Sequence, residues 1–168
     1  MQRTLLIVAL ALLFGAGCAE RLSPMKPAVW LLSGANAAAV DSADEIENTL
    51  EYVGRIGLRT ANTELGAASD WWMGSDPRQS YGVYAVQFLT DPNGLLGTLP
   101  YAGVQATLDI EDDSGGMYGF VAGTIVPIGG LDVVTEFQAR RFNEALADKM
   151  SAAEDEYKVF VGLRIPIP

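Results

Sequence analysis

From about residue 27 onward, apolar and polar residues alternate one by one, in blocks of about ten separated by turn-forming residues. In 49–60, Leu50, Tyr52, Gly54, Ile56 and Leu58 fall on one side, and Glu51, Val53, Arg55, Gly57 and Arg59 on the other. In 131–143, Leu131, Val133, Thr135, Phe137 and Ala139 oppose Asp132, Glu136, Gln138 and Arg140. In 156–167, Tyr157, Val159, Val161, Leu163, Ile165 and Ile167 oppose Lys158, Gly162 and Arg164, and in 98–110 Val104, Ala106 and Leu108 oppose Gln105, Thr107 and Asp109. Side chains on a strand point alternately to either side, so a period of two predicts strands.

The blocks 27–34, 49–60, 63–73, 80–89, 98–110, 117–128, 131–143 and 156–167 are the expected strands. Blocks 80–89 and 117–128 are apolar on both sides, so their faces are less well marked. Between the blocks lie Gly74-Ser75-Asp76-Pro77, Asp91-Pro92-Asn93-Gly94, Asp112-Asp113-Ser114-Gly115-Gly116 and Gly129-Gly130, residues that supply the backbone angles of turns. Asp41–Glu47 is acidic and Asn143–Glu154 is rich in helix formers; both read as loops, the second with a helical turn or two. Pro166 and Pro168 lack ladder donors and place the last residues at a rim or fraying from it.

Alternation leaves open which face meets water. Three features favour an apolar face turned outward to lipid. Most blocks have the length of a tilted transmembrane strand, about 9–11 residues, whereas soluble strands run to about 5–6. The polar faces mix signs, with Arg55, Arg59, Arg140, Lys158 and Arg164 against Glu51, Asp109, Asp132 and Glu136, as charges crowded inside a narrow barrel require. The links 35–48, 74–79, 111–116 and 144–155 alternate with 61–62, 90–97 and 129–130, most of them shorter, which is the membrane-barrel habit. The expectation is an all-β, antiparallel up-and-down β-barrel of about eight strands over 27–168.

Segments such as Tyr52-Val53-Gly54-Arg55-Ile56-Gly57-Leu58-Arg59 and Tyr157-Lys158-Val159-Phe160-Val161-Gly162-Leu163-Arg164 carry a resemblance to the small eight-stranded outer-membrane β-barrels, in size and pattern, over roughly 27–168. The resemblance implies Leu50, Tyr52, Ile56, Leu58, Val159, Val161 and Leu163 facing outer-membrane lipid. Arg55, Glu136, Arg140 and Arg164 would line an interior too tightly packed for an open pore. The alternative is a lipid-anchored periplasmic β-sandwich or lipocalin-like binding module with the same apolar residues as its core.

The first residues set an address. Arg3, the apolar run Leu5–Phe14 and the small residues Gly15-Ala16-Gly17 describe a secretory signal peptide over 1–17. That run is too short to span a membrane, which takes about 20 residues. Cys18 follows, and Gly15-Ala16-Gly17-Cys18 resembles the lipobox of bacterial lipoproteins, with Gly15 where the family usually has Leu. The resemblance implies acylation of Cys18 and a tether over 18–26; cleavage after Ala19 is the alternative.

Charge and composition narrow the chemistry. The formal charge is −10, and removal of Arg3 with the leader makes it more negative. That field repels nucleic acid, and Arg140-Arg141 is the only adjacent basic pair. There is no histidine, which excludes imidazole-based nucleophile systems and imidazole metal sites, and the one cysteine has its place at the leader. No catalytic residue, metal or cofactor is expected, and the protein reads as a non-enzyme with a structural or interaction role. Its loops 35–48 and 144–155 are the expected contact surfaces for a surface or periplasmic protein partner.

Three constellations bear on that reading. Asp109–Gly116 has oxygen ligands and a turn, but not the spacing of a calcium loop, and reads as a solvated hairpin. Trp71-Trp72-Met73 with Trp30, Tyr81, Tyr84, Tyr101 and Tyr118 could stack against a ligand, and reads more simply as an interfacial aromatic girdle. Asp132, Glu136 and Arg140 share one face and read as an ion-pair ladder in a lumen rather than a catalytic carboxylate pair.

Overall fold

The computed structural model describes residues 25–36, 50–60, 62–73, 77–89, 97–110, 115–143 and 155–167. The signal peptide, Cys18, most of the tether, and the greater part of loops 35–48 and 144–155 lie outside the described residues. Eight strands are present: β1 (Lys26–Asn36), β2 (Glu51–Arg59), β3 (Thr63–Trp72), β4 (Arg78–Phe88), β5 (Leu99–Asp109), β6 (Gly116–Ile128), β7 (Leu131–Phe142) and β8 (Asp155–Pro166). Each pairs antiparallel with the next, and β8 returns to β1, closing the barrel.

The bounds differ from the expected ones at the ends. β1 starts at Lys26 and runs to Asn36, taking in two residues expected to be loop, because Gly34, Ala35 and Asn36 pair with Phe160, Val159 and Lys158 of β8. The seam runs on to Ala28 opposite Pro166. Pro166 is therefore the last paired residue, at a rim where its missing donor costs no ladder bond, and Ile167 N–H caps the seam by donating to Pro27 O at 2.9 Å.

Closure assigns the two ends. Residues 60–62, 89–98 and 129–130 connect strands at the rim where β1 begins and β8 ends; 37–50, 73–77, 110–115 and 143–154 connect them at the other. Gly129 and Gly130 have φ of 59° and 96°. Positive φ at both central positions is what a type I′ hairpin demands, and its twist matches that of the strands.

Burial departs from that of a water-soluble domain: the interior mixes apolar residues such as Trp30, Val86, Phe88 and Ile125 with many charges. Glu51, Glu64, Asp70 and Glu136 are fully buried, and Arg55, Arg140, Lys158 and Arg164 nearly so. Large apolar side chains cover the outer wall, among them Leu31, Ile56, Leu65, Val83, Leu108, Phe120, Phe137 and Val161. Tyr52, Ile56, Leu58, Val159, Val161 and Leu163 all face outward as expected; Leu50 lies just before β2 and is half-buried. A β-sandwich is excluded by closure, and a lipocalin-like apolar cavity is at odds with a lumen this rich in charge.

Candidate functional site

The interior is the densest constellation of functional groups in the molecule, and strand parity builds it. β2 sends Glu51, Val53, Arg55 and Gly57 inward; β3 sends Glu64, Gly66, Ala68, Asp70 and Trp72. β7 sends Asp132, Val134, Glu136, Gln138, Arg140 and Phe142; β8 sends Lys158, Phe160 and Arg164.

At the short-turn end the centre is Trp30, which is fully buried. Its indole N–H donates to Glu64, which also accepts from Tyr84 Oη at 2.7 Å. Arg164 joins two strands by donating to Glu64 and to Asp132, each at 2.7 Å. The Arg164 guanidinium lies 5.5 Å from the Trp30 ring and 5.9 Å from Phe88, while Arg59 stacks 3.9 Å above Phe88. Guanidinium faces are weakly hydrated and stack well on aromatic rings, which is why arginine can be buried here.

At mid-height Arg55 holds β2 to β5 and β7. It donates to Glu136 at 2.7 and 2.8 Å and to Gln105 Oε1 at 2.6 and 2.9 Å. Its flat face sits 5.7 Å from Trp30 and 5.2 Å from Tyr84. Tyr101 Oη donates to Glu136 at 2.7 Å, and Gln105 Nε2 donates to Asp70 at 2.8 Å.

Towards the long-link end Glu51 accepts from Arg140 Nη1 at 2.7 Å and from Lys158 Nζ at 2.6 Å. Lys158 reaches Glu156 at 3.4 Å, and Arg140 Nη2 lies 4.0 Å from Asp70. Arg140 also stacks 4.9 Å over Phe160. Trp72, Met117 and Phe142 form an apolar cluster, and Arg78 pairs with Asp109 at 3.5 Å.

Inward glycines make room for these side chains. A Cβ on Gly57 would lie 2.2 Å from Tyr84 Oη, and one on Gly123 would lie 2.6 Å from Tyr101 Oη. The aromatic rings lie across the lumen where neighbouring strands have no side chain. Eight strands leave an interior just wide enough for side chains to fill, and here rings and ion pairs fill it.

Among the sequence candidates, Asp132, Glu136 and Arg140 do share the inward face of β7. Glu136 and Arg140 are linked along that strand through Gln138, which donates to Glu136 and accepts from Arg140 Nε at 2.6 Å. Asp132 pairs with Arg164 directly opposite on β8, while Glu136 reaches across the lumen to Arg55 and Arg140 to Glu51. The aromatic girdle needs correction. Trp30, Trp72, Tyr84 and Tyr101 point inward, whereas Trp71, Tyr81 and Tyr118 face outward near the long-link rim, together with Tyr52 and Tyr157. Asp109 lies in the lumen, and Glu111–Ser114 of the acidic stretch lie outside the described residues. Among the described residues no cluster of three metal-ligating side chains occurs. Sequence reasoning missed Glu64 and Asp70 and gave Gln105, though on the polar face of its block, no partner; the parity of Leu65, Ala67, Ser69 and Trp71 would have put Glu64 and Asp70 on one inward face.

No family model matches the chain, and no curated protein matches it in sequence. Two solved structures share its architecture. The N-terminal β-barrel domain of OprF from Pseudomonas aeruginosa is 16% identical, with a TM-score of 0.59 over 84% of this chain and 97% of that one. A de novo designed transmembrane β-barrel is 15% identical, with a TM-score of 0.57 over 88% of this chain and 100% of the other. At such identities the likeness is one of fold: a closed, eight-stranded antiparallel barrel resembling transmembrane β-barrels.

Proposed function

We propose that this protein is an outer-membrane β-barrel with a structural or interaction role and no catalytic one, its barrel a closed anchor rather than a channel. One observation carries the reading: buried charge inside and large apolar side chains outside, around the whole circumference. A barrel in water would leave that apolar wall unsatisfied, while in a bilayer it is the required surface and closure leaves no unpaired edge. The outward aromatics Tyr52, Trp71, Tyr81, Tyr118 and Tyr157 support it, since amphipathic rings favour the headgroup level. The non-catalytic part is supported by Glu51, Glu64, Asp132 and Glu136, each held by a cationic side chain and enclosed by packing.

The contact surface would be the long-link rim. Segments 37–50, 73–77, 110–115 and 143–154 carry four, one, three and three acidic residues, against the single base Lys149. A partner meeting those segments would be cationic. Export by the 1–17 leader and acylation at Cys18 are part of the same reading, and would put the tether at the rim where β1 begins.

The test is solubility and mobility. With Cys18→Ser to remove any anchor, the mature protein should require detergent and should migrate differently on a gel unheated than boiled. A monomeric, β-rich protein stable in buffer without detergent would overturn the membrane reading. Fatty-acid labelling that survives Cys18→Ser would overturn acylation alone.

A further inference from the structure

Among the described residues, three buried side-chain atoms have no hydrogen-bond partner: Trp72 Nε1, Arg140 Nη2 and Glu156 Oε2. All three lie in the long-link half of the lumen. Trp72 is the last residue of β3, Arg140 sits two residues before the end of β7, and Glu156 is the second residue of β8. The register gathers them around one ion pair: Glu51, which accepts from Arg140, opposes Trp72, and Glu156 opposes Arg140. In the short-turn half the Trp30 indole, Tyr84 and Arg164 all donate to Glu64, and no such atom occurs there among the described residues. A buried polar atom without a partner has given up its hydration for nothing, so such atoms in native interiors are met by water or by a ligand.

Distances fix the size of the occupant. Arg140 Nη2 lies 4.0 Å from Asp70 Oδ1, and Arg140 Nη1 lies 4.0 Å from Glu156 Oε2. Each gap is too long for a direct hydrogen bond, and one oxygen about 2.8 Å from both ends fits it. Neither side can simply close up. Arg140 is held by Gln138, Glu51 and the face of Phe160, and Asp70 is held by Gln105 and Ser80.

Charge fixes the class. Trp72 and Arg140 offer only hydrogens, whereas the carboxylates of Asp70 and Glu156 offer only lone pairs, so the occupant must both accept and donate. Glu51, Asp70 and Glu156 repel an anion, and Arg140 and Lys158 repel a cation. A neutral molecule with a single oxygen meets all these demands, and that molecule is water.

We propose that the long-link half of the lumen binds water at defined positions. One molecule bridges Arg140 Nη2 to Asp70 Oδ1, one bridges Arg140 Nη1 to Glu156 Oε2, and one accepts from Trp72 Nε1. The water stops at Asp70, because Gln105 ties Asp70 to Arg55, whose guanidinium lies against Trp30 and Tyr84. One half of the lumen is thus wet and the other dry. The inference rests on the closed barrel and not on the bilayer around it, so it stands or falls separately from the membrane reading.

The experiment is nuclear magnetic resonance of the full mature protein, labelled with nitrogen-15 and folded in detergent micelles. Trp30→Phe and Trp72→Phe identify the two inward indole signals, and heat-dependent gel mobility checks that each variant folds. The Trp72 indole proton should show a magnetisation-transfer peak to water and exchange with deuterium at least about tenfold faster than that of Trp30, which should show no such peak. Absence of the peak at Trp72, or equal behaviour of the two indoles, would overturn the proposal. As a second measurement, a high-resolution crystal structure should place a water within hydrogen-bonding distance of both Arg140 Nη2 and Asp70 Oδ1. In Asp70→Glu, whose longer side chain reaches Nη2 itself, that water should be lost while the one at Trp72 stays. Direct contact between Arg140 Nη2 and Asp70 in the wild type, with no water between them, would also overturn it.

Discussion

Replacing Glu136 by alanine removes the acceptor at the centre of the lumen. Arg55 would lose two hydrogen bonds, at 2.7 and 2.8 Å, and its countercharge, while remaining fully buried. It would keep Gln105 and the faces of Trp30 and Tyr84, none of which carries negative charge. Tyr101 would lose its acceptor as well. Breaking a buried ion pair from one side typically costs about 3–5 kcal/mol, because the remaining charge is neither hydrated nor paired. Arg55→Met should cost less, since Glu136 retains donors from Tyr101 and Gln138. The double variant Arg55→Met/Glu136→Ala removes both charges and should recover much of the loss, leaving about 1–3 kcal/mol for the polar partners deprived of Glu136 and Arg55. Equilibrium urea unfolding in lipid vesicles, followed by tryptophan fluorescence, measures all four corners of this cycle. If Glu136→Ala costs below about 1 kcal/mol, or if the two single losses simply add, the pair is hydrated and uncoupled, and the account of a dry, filled lumen at mid-height fails.

The outer wall gives a depth-dependent test: Val161→Arg, near the middle of β8, should cost about 2–4 kcal/mol of stability in vesicles, while Tyr157→Arg near the rim should cost about 0–1. Equal, small effects at both positions would mean the wall faces water. Gly57→Ala should destabilise the barrel by about 1–3 kcal/mol, because the new methyl meets Tyr84 Oη at 2.2 Å, and Tyr84→Phe in the same chain should restore part of the loss in the same urea assay. Reconstituted into planar bilayers, the protein should show no single-channel steps, since rings and ion pairs occupy the lumen; regular conductance steps would contradict the closed-anchor proposal.

The strand count and the grouping of residues into faces were legible in the sequence. An apolar–polar alternation of period two depends only on backbone geometry, and each of the eight blocks expected from it is a strand. The outward placing of Ile56, Leu58, Val161 and Leu163 was legible because their strands alternate cleanly. In β4 both faces carry apolar residues, so Tyr84, Val86 and Phe88 gave no sign that they were the inward set. Trp71 and Trp72, one residue apart, looked like one girdle, yet parity sends the first to the wall and the second to the lumen. Only the closed structure decided the partners. Arg55 meets Glu136 across a separation of 81 residues, and Arg164 meets Glu64 across 100. These meetings depend on which strands close the barrel and with what stagger, a property of the whole sheet rather than of any segment. Alternation states which residues share a side; closure states which side is enclosed and which charges are brought within hydrogen-bonding distance.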